Sequence, residues 1–363
     1  MPQGSERGMS TIMANRVHDL QATPAVGTSV EIMPGVRWIR MPLPITLDHI
    51  NLWALEDGDG WTLVDTGIHC PDTIAAWDRI ATDDLGGRPV KRLIVTHMHA
   101  DHAGLAGWLA ERFACPLWIT DAEYAGAQDM IAGYRDEDRV SDFYRRAGWE
   151  PSETERHFRR RKVLGGYYCT LPETYHRMAD GDTFLIGSRP WQVITGGGHS
   201  ADHACLYCPD LDVLISGDMV LPAISSNISV DPEAPEADPL AEWFATLASI
   251  RSRVPDSVMV LPSHGGCFRG LHGRIMALEH EQREVLVRLA AALDAPTRPD
   301  ALFDILFSRP IGRTDISLMT LATGETLAML NHLAAQGLVA HTLGPDGASR
   351  FQRIANELAD CCQ

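Results

Sequence analysis

The chain has 363 residues, 45% of them hydrophobic and 22% charged, and a formal net charge of −17. This length exceeds one small domain and fits one large domain with a smaller one attached. The acidic excess argues against a general affinity for nucleic acid or an anionic membrane, since both reward a basic surface.

The eight cysteines, at 70, 115, 169, 205, 208, 267, 361 and 362, lack the spacing of a small disulfide scaffold. Cys205 and Cys208 form a C-x-x-C pair, but no second pair follows. Their opposite parity in a strand should send them to opposite faces, away from a shared metal. Residues 1–21 lack the apolar core of a signal peptide, and no uninterrupted apolar run reaches membrane-spanning length. A cytoplasmic protein without a membrane partner is the expectation.

In chain order, residues 1–29 show no periodicity and read as an N-terminal arm. Strand-like runs follow at 36–40, 49–55 and 61–64, with Asp57-Gly58-Asp59-Gly60 as a hairpin turn between the last two. Asp65 closes the third strand before Gly67; it is either a turn residue or a carboxylate that orients a metal-bound histidine. Residues 71–84 are predicted to be helical, with Pro71 at the start and Gly86-Gly87 beyond the end. The apolar run Leu93-Ile94-Val95 then empties into Thr96-His97-Met98-His99-Ala100-Asp101-His102. Three histidines so spaced would arise by chance roughly 0.03 times in a chain of this histidine content. His97 and His99, two apart on an extended segment, can reach one ion, while Asp101 and His102 can face a second. Nitrogen and carboxylate donors without thiolate suit zinc, manganese or iron(II).

Residues 104–113 read as a helix and 117–119 as a strand, the alternation of a layered α/β arrangement. From 121 to 180 the strand pattern stops, and the segment reads as a helical insertion placed to cover a site. Within it Ser152 and Glu155 have capping-box spacing. The basic run 156–162 reads as a salt-bridged, solvated helix face in preference to a patch for an anionic substrate tail. Tyr167 and Tyr168, after Gly165-Gly166, are candidates for lining a substrate pocket. Strands resume at 183–186 and 191–194, the latter followed by Gly196-Gly197-Gly198-His199 and then His203. Two short strands between 205 and 215 end at Ser216-Gly217-Asp218, and the strand 258–261 empties into Pro262-Ser263-His264-Gly265-Gly266. A strand followed by His or Asp with flanking glycine thus recurs at 97–102, 199, 218 and 264, which would bring the ligands to one rim of a rigid scaffold. Residues 270–293 form a long amphipathic helix, and Pro296 and Pro299 mark a linker. Helices at 300–307, 317–322 and 325–336, followed by a hairpin turning at 344–347, make a winged-helix pattern.

The ordered set His97-x-His99-x-Asp101-His102, His199, Asp218 and His264, with Asp65 upstream, resembles the metallo-β-lactamase-fold hydrolases. The resemblance implies an α+β, four-layer αββα sandwich over 30–295, interrupted by the helical insertion at 121–180, and a small winged-helix domain at 296–363. It implies one metal ion held by His97, His99 and His199 and another by Asp101, His102 and His264. Asp218 would bridge the two, with Asp65 and His203 as supports behind the ligands. Two divalent ions, zinc first and iron or manganese next, would share a water and lower its pKa to supply a hydroxide. Asp101 and Asp218 would then be the catalytic carboxylates, and no serine or cysteine nucleophile is needed.

Aspartate at 218 departs from the cysteine common in antibiotic-hydrolysing zinc members, and histidine at 99 from the glutamate of diiron flavoproteins. What remains resembles the hydroxyacylglutathione hydrolase and acyl-thioesterase branch, then the lactonase branch. The tail resembles that of the β-lactamase-like-2 group, which includes thioesterases and an endoribonuclease. The expected activity is hydrolysis of a small-molecule carboxylic thioester of the acyl-CoA or acylglutathione type. A lactone of the acyl-homoserine type is the alternative, and a phosphodiester follows. A winged helix ordinarily reads DNA, but 296–363 carries five arginines, no lysine and seven acids, a net of −2, so no DNA binding is expected. Leu327, Leu330 and Leu333 suit packing within the domain, against the pocket, or at a homodimer interface.

Overall fold

A computed structural model describes residues 23–44 and 47–354. Most of the arm read at 1–29 lies outside the described residues, and its last two positions already belong to a strand. Seven strands form the first sheet in chain order: β1 (Thr28–Met33), β2 (Val36–Pro42), β3 (His49–Asp57), β4 (Gly60–Val64), β5 (Val90–Ile94), β6 (Leu117–Ile119) and β7 (His176–Arg177). The second sheet contains β8 (Thr183–Ile186), β9 (Arg189–Gly196), β10 (His203–Cys208), β11 (Val213–Gly217) and β12 (Met259–Pro262). Neighbours are antiparallel from β1 to β4 and parallel from β4 to β7; in the second sheet only β11 and β12 are parallel.

Side-chain alternation sorts these strands into three apolar layers. Trp38, Trp53, Leu55 and Ile94 from the first sheet meet Trp191, Val193, Leu206 and Ile215 from the second, and this is the space between the sheets. The other face of the first sheet, with Ile39, Leu52 and Leu63, packs on α1 (Pro71–Arg79), α2 (Ala100–Ala103), α3 (Ala106–Phe113) and α4 (Asp121–Ala132). The other face of the second sheet, with Ile194, Leu214 and Val260, carries residues of α5 (Glu137–Arg146), α7 (Pro239–Arg253) and α8 (Leu271–Ala291), with α6 (Pro151–Gly165) alongside. The result is the helix, sheet, sheet, helix sandwich that the resemblance implies. Cys205 falls in one of these layers and Cys208 in another, as their parity requires.

The C-terminal segment adds the short helix α9 (Phe303–Leu306), the long helix α10 (Ile316–Ala335) and a hairpin of β13 (Val339–Leu343) and β14 (Ser349–Arg353). The helices expected separately at 317–322 and 325–336 are therefore continuous. Gly324 suggests a break but serves a close approach: a Cβ there would lie 2.7 Å from Ser229 Cβ and Oγ. Leu327, Leu330 and Leu333 are buried, as their spacing suggested.

Three other expectations shift. The α6 cap is Glu150, whose N–H is bonded by the Glu153 carboxylate at 2.7 Å; the predicted Ser152–Glu155 box is not formed. Pro151 occupies the first helical position, and this places the cap one residue before it. β1 escaped notice because its apolar alternation is only Val30-Glu31-Ile32, too short to separate from the polar residues before it, and none of its residues is fully buried. The basic run is not simply a solvated face: Arg156 donates to the carbonyls of Arg313 and Thr314, and Arg161 lies over the Tyr134 ring.

Topology places the site. β4 and β5 are parallel neighbours, as are β11 and β12. β9 is antiparallel to β10, which is antiparallel to β11, so β9 and β11 run the same way. The C-terminal ends of these strands lead to Asp65, 96–102, 199, 218 and 264 at one edge, and His203 joins them at the start of β10. Ala204 N–H donates to the Thr96 carbonyl at 2.9 Å and stitches the two sheets together there.

Candidate metal centre

His97, His99, His199 and Asp218 form one group, and Asp101, His102 and His264 a second; within each, the donor atoms all lie within 4.8 Å of one another. In the first group His97 Nε2 lies 2.9 Å from His99 Nδ1 and 3.2 Å from His199 Nε2. In the second, Asp101 Oδ2 is 3.3 Å from His264 Nε2 and 3.8 Å from His102 Nε2. Asp218 faces both. Its Oδ2 is 3.4 Å from His199 Nε2 and 4.0 Å from His97 Nε2, while its Oδ1 is 3.5 Å from both His102 Nε2 and His264 Nε2.

Partners on the far side of the rings set the tautomers. His102 Nδ1 lies 2.8 Å from Asp65 Oδ2, His199 Nδ1 2.9 Å from the Asn227 carbonyl, and His264 Nδ1 3.1 Å from the His49 carbonyl. A proton held at each Nδ1 leaves the inward Nε2 with a free lone pair. Asp65 itself is buried in a left-handed conformation (φ 62°). Its Oδ1 accepts the Thr96 N–H at 2.8 Å. Trp77 Nε1 donates to the next carbonyl, Thr66, at 2.8 Å and anchors the turn to α1. His203 Nε2 accepts the Asp218 N–H at 3.1 Å, so this histidine holds the bridging residue by its main chain. Gly217 makes the contact close: a Cβ there would be 2.3 Å from that same nitrogen.

The electrostatics divide the two groups. Burial and neighbouring imidazoles hold His97 well below its ordinary range, and burial drives His99 down to about 3, so both are neutral bases. Burial opposes charge on His102 and His264 too, but facing carboxylates outweigh it and raise both. Asp101, despite burial, is drawn down to about 2 by His102 and His264. His102 Nε2 and Asp218 Oδ1 are buried without a hydrogen-bond partner. Buried polar atoms ordinarily have one. Unpartnered nitrogen and carboxylate donors converging in this way fit divalent cations.

Sequence reasoning placed Tyr167 and Tyr168 in the pocket wall. Tyr168 is buried, and its hydroxyl donates to the Met98 carbonyl at 2.9 Å, which puts it behind the histidine loop; Tyr167 is half-buried. Three residues with contacts to the ligand loops were missed. Asn51 Nδ2 donates to the carbonyls of Pro262 and Gly265, at 2.9 and 2.8 Å, and so grips the His264 loop. Glu123 bonds the loops of His97–His99 and His199. Glu325 on α10 faces the Asn227 side chain and the Ile228 N–H, and burial pushes its carboxyl up to about 7. The single acid in a helix with no Asp, Lys or Arg was the available signal for Glu325.

The chain belongs to the metallo-beta-lactamase superfamily, whose family description matches residues 45–264. Residues 286–354 match a second family, the metallo-beta-lactamase-like C-terminal domain. Among solved structures it resembles a beta-lactamase domain protein from Burkholderia ambifaria, 40% identical, with a TM-score of 0.84 over 92% of this chain and 96% of that one. Among curated proteins it is 24% identical to an atrochrysone carboxyl ACP thioesterase of Cryptosporiopsis sp., over 64% of this chain and 54% of that protein. It is 26% identical to human acyl-coenzyme A thioesterase MBLAC2, over 51% of this chain and 63% of that protein. The chain thus spans about half to two thirds of the length of these thioesterases. Among the described residues, no helix is long and apolar enough to cross a membrane.

Proposed function

We propose that this metallo-hydrolase cleaves a carboxylic thioester at a two-ion centre, with zinc in both positions and iron or manganese as alternatives. The observation that carries the reading is Asp218, whose two oxygens face the two ligand groups separately. Two divalent ions bound there would supply an activated water near neutral pH and polarise the acyl carbonyl. The chain's own contribution is placement. His97 and His99 are kept neutral, Asp65 and two main-chain carbonyls direct the remaining imidazoles inward, and His203 fixes the Asp218 main chain. Asp101 and Asp218 remain ionised, which suits them to hold cations and to accept a hydrogen bond from the attacking water.

Thioester is preferred because the two relatives named above are thioesterases, one acting on an acyl carrier protein and one on acyl-coenzyme A. A thiolate is also a good leaving group that needs no dedicated acid from the protein. The described cysteines at 70, 115, 169, 205, 208 and 267 are free thiols, which supports a reducing, cytoplasmic location. The test is metal analysis of purified protein together with a substrate panel. Close to two ions per chain and thiol release from acyl-CoA or acylglutathione are expected. Turnover of acyl-homoserine lactones alone would move the assignment to a lactonase, and turnover of nucleotide diesters alone to a phosphodiesterase.

A further inference from the structure

Thr120-Asp121-Ala122-Glu123 opens α4 with the spacing of a capping box, in which the glutamate returns to the main-chain N–H of the capping residue. One half of the box forms: the Thr120 hydroxyl accepts the Glu123 N–H at 3.4 Å. The other half is diverted. Glu123 Oε2 accepts the Met98 N–H at 2.7 Å, and Oε1 accepts the Asp202 N–H at 2.7 Å. The side chain is completely buried, and burial raises its carboxyl above the ordinary range despite those two N–H groups. A buried carboxylate costs folding free energy unless it is well satisfied, so this placement points to a role outside its own helix.

The bonded peptides adjoin the ligands. Met98 separates His97 from His99, and Asp202 follows His199 by three residues. Both are also held by their carbonyls: Tyr168 donates to that of Met98 at 2.9 Å, and Thr120 to that of Asp202 at 3.0 Å. Gly126, further along α4, lets the helix close on the Met98 side chain; a Cβ there would be 2.3 Å from Met98 Sδ. Thr120, Glu123 and Tyr168 thus grip four main-chain polar groups on two loops that come from different sheets.

We propose that Glu123 is a positioning residue for the first ligand group: with Thr120 and Tyr168 it clamps the 97–99 loop to the 199–202 loop and so sets the affinity of that group for its ion. The proposal rests on the two-ion reading given above. Its test uses Zn²⁺ alone as the probe, titrated into metal-stripped full-length protein against a competing chromophoric chelator, with two dissociation constants expected for the wild type. His264→Ala provides the background in which the first group dominates binding. Glu123→Ala should weaken one constant about 10- to 100-fold, the range for losing a partner behind a metal ligand. The other constant should be unchanged, and the same loss should appear in the His264→Ala background. Glu123→Gln keeps the shape but has one acceptor for two N–H groups, so it should weaken the same constant to a smaller degree. Should Glu123→Ala fail to fold, Glu123→Gln and Thr120→Val, both near-isosteric, carry the test. A lower melting midpoint with both zinc constants intact would show a merely structural role and overturn the proposal, as would equal weakening of both. A wild type that takes up no zinc overturns the two-ion reading along with it, whereas two ions bound identically by wild type and variants overturns the clamp alone.

Discussion

Replacing Asp65 by asparagine should weaken the ion at His102 more than the one at His97, which Asp65 reaches only through the Thr96 hydroxyl, 3.1 Å from His97 Nδ1. The carboxylate accepts from Thr96 N–H at 2.8 Å through Oδ1 and lies 2.8 Å from His102 Nδ1 through Oδ2. Asparagine tolerates the left-handed conformation at φ 62°, so the backbone itself gives little reason to move. The amide, however, has one acceptor and one donor where the carboxylate had two acceptors. If its oxygen keeps the Thr96 N–H, its NH₂ faces His102 Nδ1, which must then become an acceptor. The ring proton moves to Nε2, the atom 3.5 Å from Asp218 Oδ1, and the lone pair meant for the metal is lost. A buried charge-assisted hydrogen bond is worth about 1.5–3 kcal/mol. Losing the carboxylate behind a ligand histidine lowers metal affinity about 10- to 100-fold, or about 1.4–2.7 kcal/mol. The two figures agree. Chelator-competition titration with Zn²⁺ should show the constant of the His102 group weakened by that factor. A folded Asp65→Asn protein that binds both ions with wild-type affinity would refute this account.

Three further expectations follow from the same contacts. Gly324→Ala, which in an exposed helix interior gains roughly 0.5–1 kcal/mol, should instead lower the thermal midpoint because its Cβ meets Ser229 at 2.7 Å; recovery in Gly324→Ala with Ser229→Gly would confirm the cause. Glu325 stays protonated up to about 7 when folded but ionises near its ordinary 4.5 when unfolded, so the folded state holds the extra proton and stability falls as pH rises between those values, by at most about 3 kcal/mol. Urea unfolding of metal-free protein at pH 5 and pH 7.5 should show a smaller loss for Glu325→Gln than for wild type, and equal losses would contradict the assignment. In a low-salt polarisation titration the protein should not bind duplex DNA, since the net charge of 296–363 is −2 and Leu327, Leu330 and Leu333 of α10 are buried; tight, salt-sensitive binding that disappears on deleting 296–363 would reverse this.

The convergence of the candidate ligands was legible because each follows an apolar strand closely, with glycine nearby at Gly198-His199, Gly217-Asp218 and His264-Gly265. Parallel pairing of β4 with β5 and of β11 with β12 then turns separation in sequence into proximity in space. The supporting residues were harder to see because their local patterns have ordinary explanations. Thr120-x-x-Glu123 is indistinguishable from a helix cap until the carboxylate is seen to leave it. Gly324 suggests a helix break until Ser229 is found against it. Asn51, near the start of a buried strand, reveals its purpose only through a loop more than two hundred residues away. In each case the decisive partner is long-range, and no short window of sequence contains it.

The two ligand groups also differ in what holds them. Behind the second group stand parts of the central sandwich: Asp65 at the end of β4 supports His102, and the His49 carbonyl and Asn51 of β3 hold His264 and its loop. Behind the first group stand mainly appended segments, although the Thr96 hydroxyl, which donates to Asp65, also lies 3.1 Å from His97 Nδ1. Glu123 and Tyr168 come from the insertion and Thr120 caps its first helix, while Glu325 of α10 faces the loop whose Asn227 carbonyl directs His199. On the two-ion reading proposed above, a change in the insertion or the C-terminal helix would act mainly on the first group, while the second is tied more closely to the sheet. In the proposed hydrolase the segments that cover the site would then tune one ion independently of the other, and Asp218, with one oxygen toward each group, is the residue through which the two stay coupled.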